Sequence, residues 1–256
     1  MSHRVTILNA AFDPLTRAAT VHAIFHALAI GRRGWLCTVN VSMLMTMRDN
    51  AWLQGFVDRA ALVVADGQPL VWCAPLFGGR LPERVTGIDL IDAVCARAAT
   101  EGKSVFCLGA SQSLLHSTLA HLRARHPGLR IDGADGYFDA ASAAARAEQV
   151  RASGAQLLFV GMGCPRQEEF ISEHWERLGV GMAIGVGGSF DVLGGARYRA
   201  HPWIGHLGLE WLVRLLQEPR RLARRYLVTN TGFCRLIAKV LAARASGKPT
   251  HRGSRE

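Results

Sequence analysis

Asp66 follows an unbroken apolar run at residues 61–65 and precedes Gly67. A lone carboxylate at the end of a buried strand could act as a general base, taking a proton from a hydroxyl. It could equally cap a helix over residues 68–76. Position alone does not separate the two. Asp191, after the turn Gly187-Gly188, carries the same ambiguity. Other apolar runs end in glycine: Gly109-Ala110-Ser111, and Gly161-Met162-Gly163-Cys164-Pro165-Arg166-Gln167. Glycine lets a backbone approach a ligand closely, and the N-terminus of a following helix favours a phosphate. Thr38 and Asn40 close the run at residues 35–39 and would share that edge.

Several chemistries lack their residues. Gly161 and Gly163 are not followed by the third glycine of a dinucleotide fingerprint, and no phosphate-loop lysine is present, which argues against a dehydrogenase. No Asp-x-Asp pair occurs, so no divalent metal and no cofactor are expected. His22 and His26 would share a helix face but lack the glutamate of a zinc-protease motif. No Gly-x-Ser-x-Gly elbow occurs. The 6 cysteines, at 37, 73, 95, 107, 164 and 234, form no Cys-x-x-Cys pair and read as reduced, buried thiols of a cytoplasmic protein. The N-terminal residues show no secretory signal pattern.

To bring the strand-end residues together the chain needs a frame. Residues 4–8, 35–39, 61–65, 104–109, 156–160 and 181–186 read as strands. They are nearly continuous in apolar residues, as expected of strands buried on both faces of a parallel sheet. Residues 42–59, with Ser42 as N-cap, 88–100, 111–125, 140–153 and 166–178 read as helices. This alternation predicts an α/β fold, a doubly wound Rossmann-like parallel sheet, with ligands outside the carboxyl ends of its strands. The 256 residues, 49% of them hydrophobic, suit one such domain or a domain with an appendage.

The net charge of +10 is uneven. Residues 1–194 hold 17 basic and 17 acidic side chains, whereas residues 195–256 hold 13 and 3. A neutral body with a basic tail points to an anionic partner. Residues 207–218 read as a helix with an apolar stripe at Leu209, Leu212 and Leu216, and Pro219 opens another. Arg220, Arg221, Arg224 and Arg225 cluster on adjoining faces of that second helix. Farther on, Phe233, Leu236, Ile237, Val240 and Leu241 fall at helical spacing against Arg235, Lys239 and Arg244. Such a helix suits an anionic membrane interface, and a partner-binding helix would look alike. Guanidinium forks also suit diphosphate oxygens. No stretch of about 18 apolar residues is present to span a bilayer. The chain divides into residues 1–195 as an α/β catalytic domain, 196–245 as a basic helical appendage and 246–256 as a flexible tail.

These residues fall in ordered blocks: Thr38-Val39-Asn40, Ala65-Asp66-Gly67, RVTGIDL at 84–90, Leu108-Gly109, Gly136-Tyr137-Phe138, GCPRQE at 163–168, GVGGSFD at 185–191 and LEWLVRLLQEPRRLARRY at 209–226. With them the chain resembles the WecG/TagA/CpsF family of bacterial glycosyltransferases, from about residue 5 to residue 228. The resemblance implies metal-independent, inverting transfer from a UDP-sugar donor to a polyprenyl diphosphate-linked sugar acceptor at the inner leaflet of the membrane, with no nucleic acid involved. It implies Asp66 as base, with Thr38 and Asn40 in the pocket, Arg84 and Gln167 binding or activating substrate, and Tyr137 near the uracil. Arg214, Arg221 and Arg224 are the tail arginines implied at the active site. Asp89, Gly109, Gly163, Gly187 and Asp191, within matching blocks, are read as substrate-binding. Self-association into a homo-oligomer stays open. So does the other class of function, a non-catalytic adaptor whose basic tail binds membrane or nucleic acid.

Overall fold

In a computed structural model, which describes residues 3–198, 201, 204 and 208–246 apart from the side chains of Arg221, Arg225 and Ala245, the chain opens with a hairpin. Its strands are β1 (Val5–Ile7) and β2 (Ala10–Phe12), followed by α1 (Arg17–Ala29) and β3 (Gly34–Val39). Next come α2 (Val41–Asp49), α3 (Ala51–Asp58), β4 (Leu62–Ala65), α4 (Gln68–Cys73), a 3-10 turn (Ala74–Phe77) and α5 (Gly87–Thr100). The second half runs β5 (Ser104–Gly109), α6 (Gln112–Arg125), β6 (Arg130–Ala134), α7 (Ala143–Ala152), β7 (Leu157–Gly161), α8 (Arg166–Leu178), β8 (Met182–Gly185) and α9 (Ser189–Leu193). Two further helices follow, α10 (Glu210–Gln217) and α11 (Pro219–Ala245).

Strands β3 to β8 form one parallel sheet in the order β4-β3-β8-β7-β5-β6. The chain builds one half with β3 and β4, crosses to β5 and β6, and returns inward with β7 and β8. Alternate side chains of each strand enter different cores. Cys37, Phe106, Leu158 and Val160 pack with α2, α3, α7 and α8 on one face. Leu36, Val105, Cys107, Leu157 and Phe159 pack with α1, α5, α6 and α9 on the other. Burial on both faces is why these strands read as continuous apolar runs. The sheet is doubly wound and Rossmann-like.

Three expectations are corrected, and one helix is added. Residues 4–8 do not join the parallel sheet: β1 pairs antiparallel with β2, Val5 opposite Phe12. The hairpin is pinned beside edge strand β4 by Asp13, whose N–H donates to the Val63 carbonyl at 2.8 Å and whose Oδ2 accepts the Val63 N–H at 2.8 Å. The sixth sheet strand is instead β6, an edge strand with only Ile131 and Ala134 buried, too polar to read as an apolar run. Residues 42–59 form two helices, because the Asn50 side chain accepts the Leu53 N–H at 3.0 Å and restarts the chain. The N-cap of α2 is Asn40 rather than Ser42. An additional helix, α1, starts where Thr16 accepts the Ala19 N–H. His22 and His26 stack on its exposed face with ring centroids 6.4 Å apart.

The C-terminal helices lie across the body. Phe233 of α11 is buried in the same core as Met43 and Leu44 of α2, and Ile237 packs against that core. Burying such a side chain stabilises the contact by roughly 1.5–3 kcal/mol. A Cβ added at Gly232 would come within 2.9 Å of the Met45 methyl, so the Met45 side chain of α2 packs onto α11 there. The apolar stripe read from 233 onward therefore turns partly inward, onto α2. Leu216, Leu227, Val228 and Leu241 remain exposed. Residues 247–256, most of the expected flexible tail, lie outside the described residues.

Candidate functional site

The parallel register sets Val39 opposite Ala65, and the Asp66 N–H donates to the Val39 carbonyl at 2.9 Å. Asp66 thus leaves the sheet beside Asn40. It does not cap α4, which starts from Gly67 with no side-chain cap, so the capping reading of Asp66 falls away. Asn40 does cap: its Oδ1 accepts the Met43 N–H at 3.0 Å, which fixes the side chain at the start of α2. Thr38 Oγ1 donates to the Gly185 carbonyl at 2.9 Å and ties β3 to β8 near the same edge.

Residues 84–86 run along the end of β4, with the Val85 N–H donating to the Ala65 carbonyl at 2.9 Å. This brings Arg84 to Asp66. The Arg84 Nη1 donates to Glu210 Oε2 of α10. One helical turn on, Arg214 Nη2 donates to Glu210 Oε1 at 3.2 Å. One carboxylate therefore bridges two guanidiniums, one from each side of the site. Asp66 keeps some accessible surface, but the protein crowded around it raises its pKa from the usual carboxylate value to about 7. Arg214 and Arg84 pull that value down, while Glu210 and Asp89 push it up. Burial works against the charge of Arg214, yet Asp66, Glu210 and Tyr226 outweigh it and hold its pKa above the usual arginine value. Sequence reasoning passed over Glu210. Its spacing of four from Arg214 was the available signal.

The other candidates separate. Asp89 sits in a reciprocal cap with Thr86: Thr86 Oγ1 donates to its Oδ2 at 2.8 Å and accepts its N–H at 3.2 Å. Asp191 pairs with Arg197 at 2.7 Å, and Arg197 also reaches Glu218. That links α9 to the junction of α10 and α11, so the surroundings of Asp191 are those of an anchor. Arg224 is exposed, two residues from buried Leu222 and so on the far side of α11, and it is not brought to the Asp66 cluster. The side chain of Arg221 lies outside the described residues.

Toward the other half of the sheet the edge becomes a glycine shelf. Gly109 has φ +151°, and a Cβ there would lie 2.4 Å from the Gly161 carbonyl oxygen. Gly187, with φ +54°, would place a Cβ in open space, as would Gly163. Gln167 does not face this space. It is buried beneath it, with Oε1 accepting the Gly187 N–H at 3.0 Å and Nε2 donating to Glu168 Oε1 at 2.7 Å. Burial raises the Glu168 pKa to about 7 against the hydrogen bonds from Gln167, its own backbone and Cys164. The loop after β6 folds back over β5, with the Gly136 N–H donating to the Ala110 carbonyl at 2.9 Å. It presents Tyr137, 76% exposed, held by Asp135 and by Arg166, whose Nη2 donates to the Phe138 carbonyl at 2.7 Å.

A cavity of about 550 Å³ opens elsewhere, between α3 and α8 near the start of β3, lined by Trp35, Arg59, His174, Trp175 and neighbours. It lies at the amino ends of the strands, away from the Asp66 edge where an open α/β sheet binds its ligands. Among the described residues no group of three or more His, Cys, Asp or Glu side chains is placed to hold a metal ion.

A model of the glycosyl transferase WecG/TagA/CpsF family matches residues 5–247. The chain belongs to the WecG/TagA/CpsF family. It is accordingly a glycosyltransferase of cell-wall or polysaccharide biosynthesis, acting on a sugar donor and an acceptor. The match runs past residue 228, where the resemblance in the sequence blocks ends, and takes in the whole of α11. The stretch after residue 228 is thus within the family match. No described helix is long and apolar enough to cross a membrane.

Proposed function

We propose that the protein is an inverting transferase that moves a sugar from a UDP-sugar to a sugar on a polyprenyl diphosphate, with Asp66 as general base. In this reading residues 1–195 form the catalytic body and 196–245 an appendage that docks on the inner face of the membrane. The observation that carries it is the setting of Asp66: a carboxylate at the carboxyl edge of the sheet, with raised proton affinity, flanked by Arg84 and Arg214. A base is most effective when its pKa lies near the working pH. The acceptor hydroxyl gives its proton to Asp66 as its oxygen bonds to the anomeric carbon. The bond from that carbon to the donor diphosphate breaks, and UDP leaves with the electron pair. The charge that develops on UDP needs donors aimed at it. Arginines and strand-end N–H groups supply them here. Between the ends of β4 and β5 the edge spans four strand spacings, roughly 19 Å. That length suits an extended sugar nucleotide with Tyr137 at the base end and Gly109, Gly163 and Gly187 beneath. Exposed Leu216, Leu227, Val228 and Leu241 beside exposed Arg220, Arg224, Arg235, Lys239 and Arg244 support docking on an anionic bilayer.

The test is UDP release from a panel of UDP-sugars with and without a polyprenyl diphosphate-linked sugar. Release is expected from one donor and only with acceptor. Deleting residues 196–256 is expected to abolish both turnover and recovery with anionic vesicles. Vesicle binding without UDP affinity or release from any pair would favour the adaptor instead.

A further inference from the structure

Glu210 lies at the meeting of body and C-terminal helices. Its Oε2 accepts from Arg84, which the chain delivers along the end of β4, and its Oε1 accepts from Arg214 one turn along its own helix. All three side chains are mostly shielded from water, Arg84 at 18%, Glu210 at 19% and Arg214 at 36% exposure. A guanidinium is a planar fork, so a carboxylate that holds one of its nitrogens also restricts the direction of the rest. Glu210 touches Arg84 and Arg214 and shares a crevice with Arg197; Asp66 feels Arg214, Glu210, Arg84 and Asp89 of α5, and Tyr226 of α11 acts on Arg214. Neither Arg84 nor Arg214 is therefore an unclaimed cation awaiting a diphosphate.

We propose that Glu210 is a positioning residue, holding Arg84 of the body and Arg214 of the C-terminal helices in fixed directions over Asp66. This rests on the sugar-transfer reading. The bridge has two effects. It keeps the guanidiniums from collapsing onto Asp66, which would neutralise the base. It also limits how tightly they bind the donor diphosphate in the ground state, leaving their full strength for the charge that develops as UDP departs.

Glu210→Gln keeps the size of the side chain and one acceptor oxygen but removes the charge. Glu210→Asp keeps the charge with a shorter reach. Steady-state UDP release by the full chain over a pH series is the assay, with UDP affinity by calorimetry and thermal unfolding alongside. For Glu210→Gln, kcat is expected to fall about 10- to 100-fold, as for a small misplacement of catalytic groups. KM for the donor and Kd for UDP stay level or fall, and the acidic midpoint of kcat/KM moves to lower pH because a neighbouring anion is gone. Glu210→Asp is expected to lose rate but keep the wild-type midpoint. An unmoved midpoint with kcat within about twofold in Glu210→Gln overturns the role. So does a Glu210→Gln chain that fails to fold, which makes Glu210 a structural hook. No release by the wild-type chain from any donor and acceptor pair overturns the sugar-transfer reading, and the role of Glu210 with it.

Discussion

If Asp66 is the base, the reaction must follow its ionisation. A base with a pKa of about 7 is half ionised at pH 7. Each pH unit below that midpoint removes roughly a factor of ten from the ionised fraction, so kcat/KM is expected to rise about tenfold between pH 6 and pH 8 and then level. An ordinary exposed aspartate would already be fully ionised at pH 6 and give a flat line. Asp66→Asn is expected to lose about 10²–10⁴-fold in kcat, the usual contribution of a positioned base. Arg214→Gln supplies the electrostatic control. Arg214 lowers the pKa of Asp66, so its removal is expected to move the midpoint upward by roughly one pH unit. The assay is initial-rate UDP release at saturating acceptor from pH 5.5 to 9, with folded protein verified at both ends. A flat wild-type profile, or an Asp66→Asn chain with more than a tenth of wild-type kcat, refutes the assignment. A midpoint that moves down in Arg214→Gln refutes the electrostatic account of Asp66 even if Asp66 proves essential.

Glu168 is buried with a pKa raised to about 7, so the folded state holds its proton over a range where the unfolded chain has released it. Its contribution to stability therefore falls as pH rises from about 4.5 to 7, by a total of about 3 kcal/mol. Glu168→Gln is expected to flatten the decline of Tm between pH 5 and pH 8 and to stabilise the protein at pH 8; parallel Tm curves for the two chains would count against it. Gln167→Ala leaves the Gly187 N–H without its acceptor and is expected to cost about 1–3 kcal/mol, read by denaturant unfolding, with a loss of donor affinity as the Gly187 turn loosens. Gly109→Ala would force a Cβ to 2.4 Å from a backbone oxygen, and is expected to cost about 2 kcal/mol or more and lower Tm by about 4–8 °C.

The sequence alone determined most of the frame. Strands β3, β4, β5, β7 and β8 were legible because both faces of each are buried, which demands continuous apolar runs. The limits of α8, Arg166–Leu178, were legible in full because Pro165 precedes it and Gly179 follows in the left-handed conformation. The position of Asp66 at a strand end, with glycines at neighbouring ends, was visible too, since parallel strands line up the residues that follow them. What the sequence could not decide came from neighbours distant in the chain. Edge strand β6 is too polar to stand out, because only Ile131 and Ala134 of it are buried, whereas the other edge strand, β4, is covered on both faces. Only the geometry of α4, which starts from Gly67 with no side-chain cap, removes the capping reading of Asp66. The proton affinity of Asp66 depends on burial and on charges 18, 23, 144 and 148 positions away. Glu210 acquires its place only when α10 packs against the body, 126 residues along the chain from Arg84. Apolar patterning is a local property written residue by residue. Electrostatics depends on distance through space and on exclusion of water, and both exist only once the chain has folded.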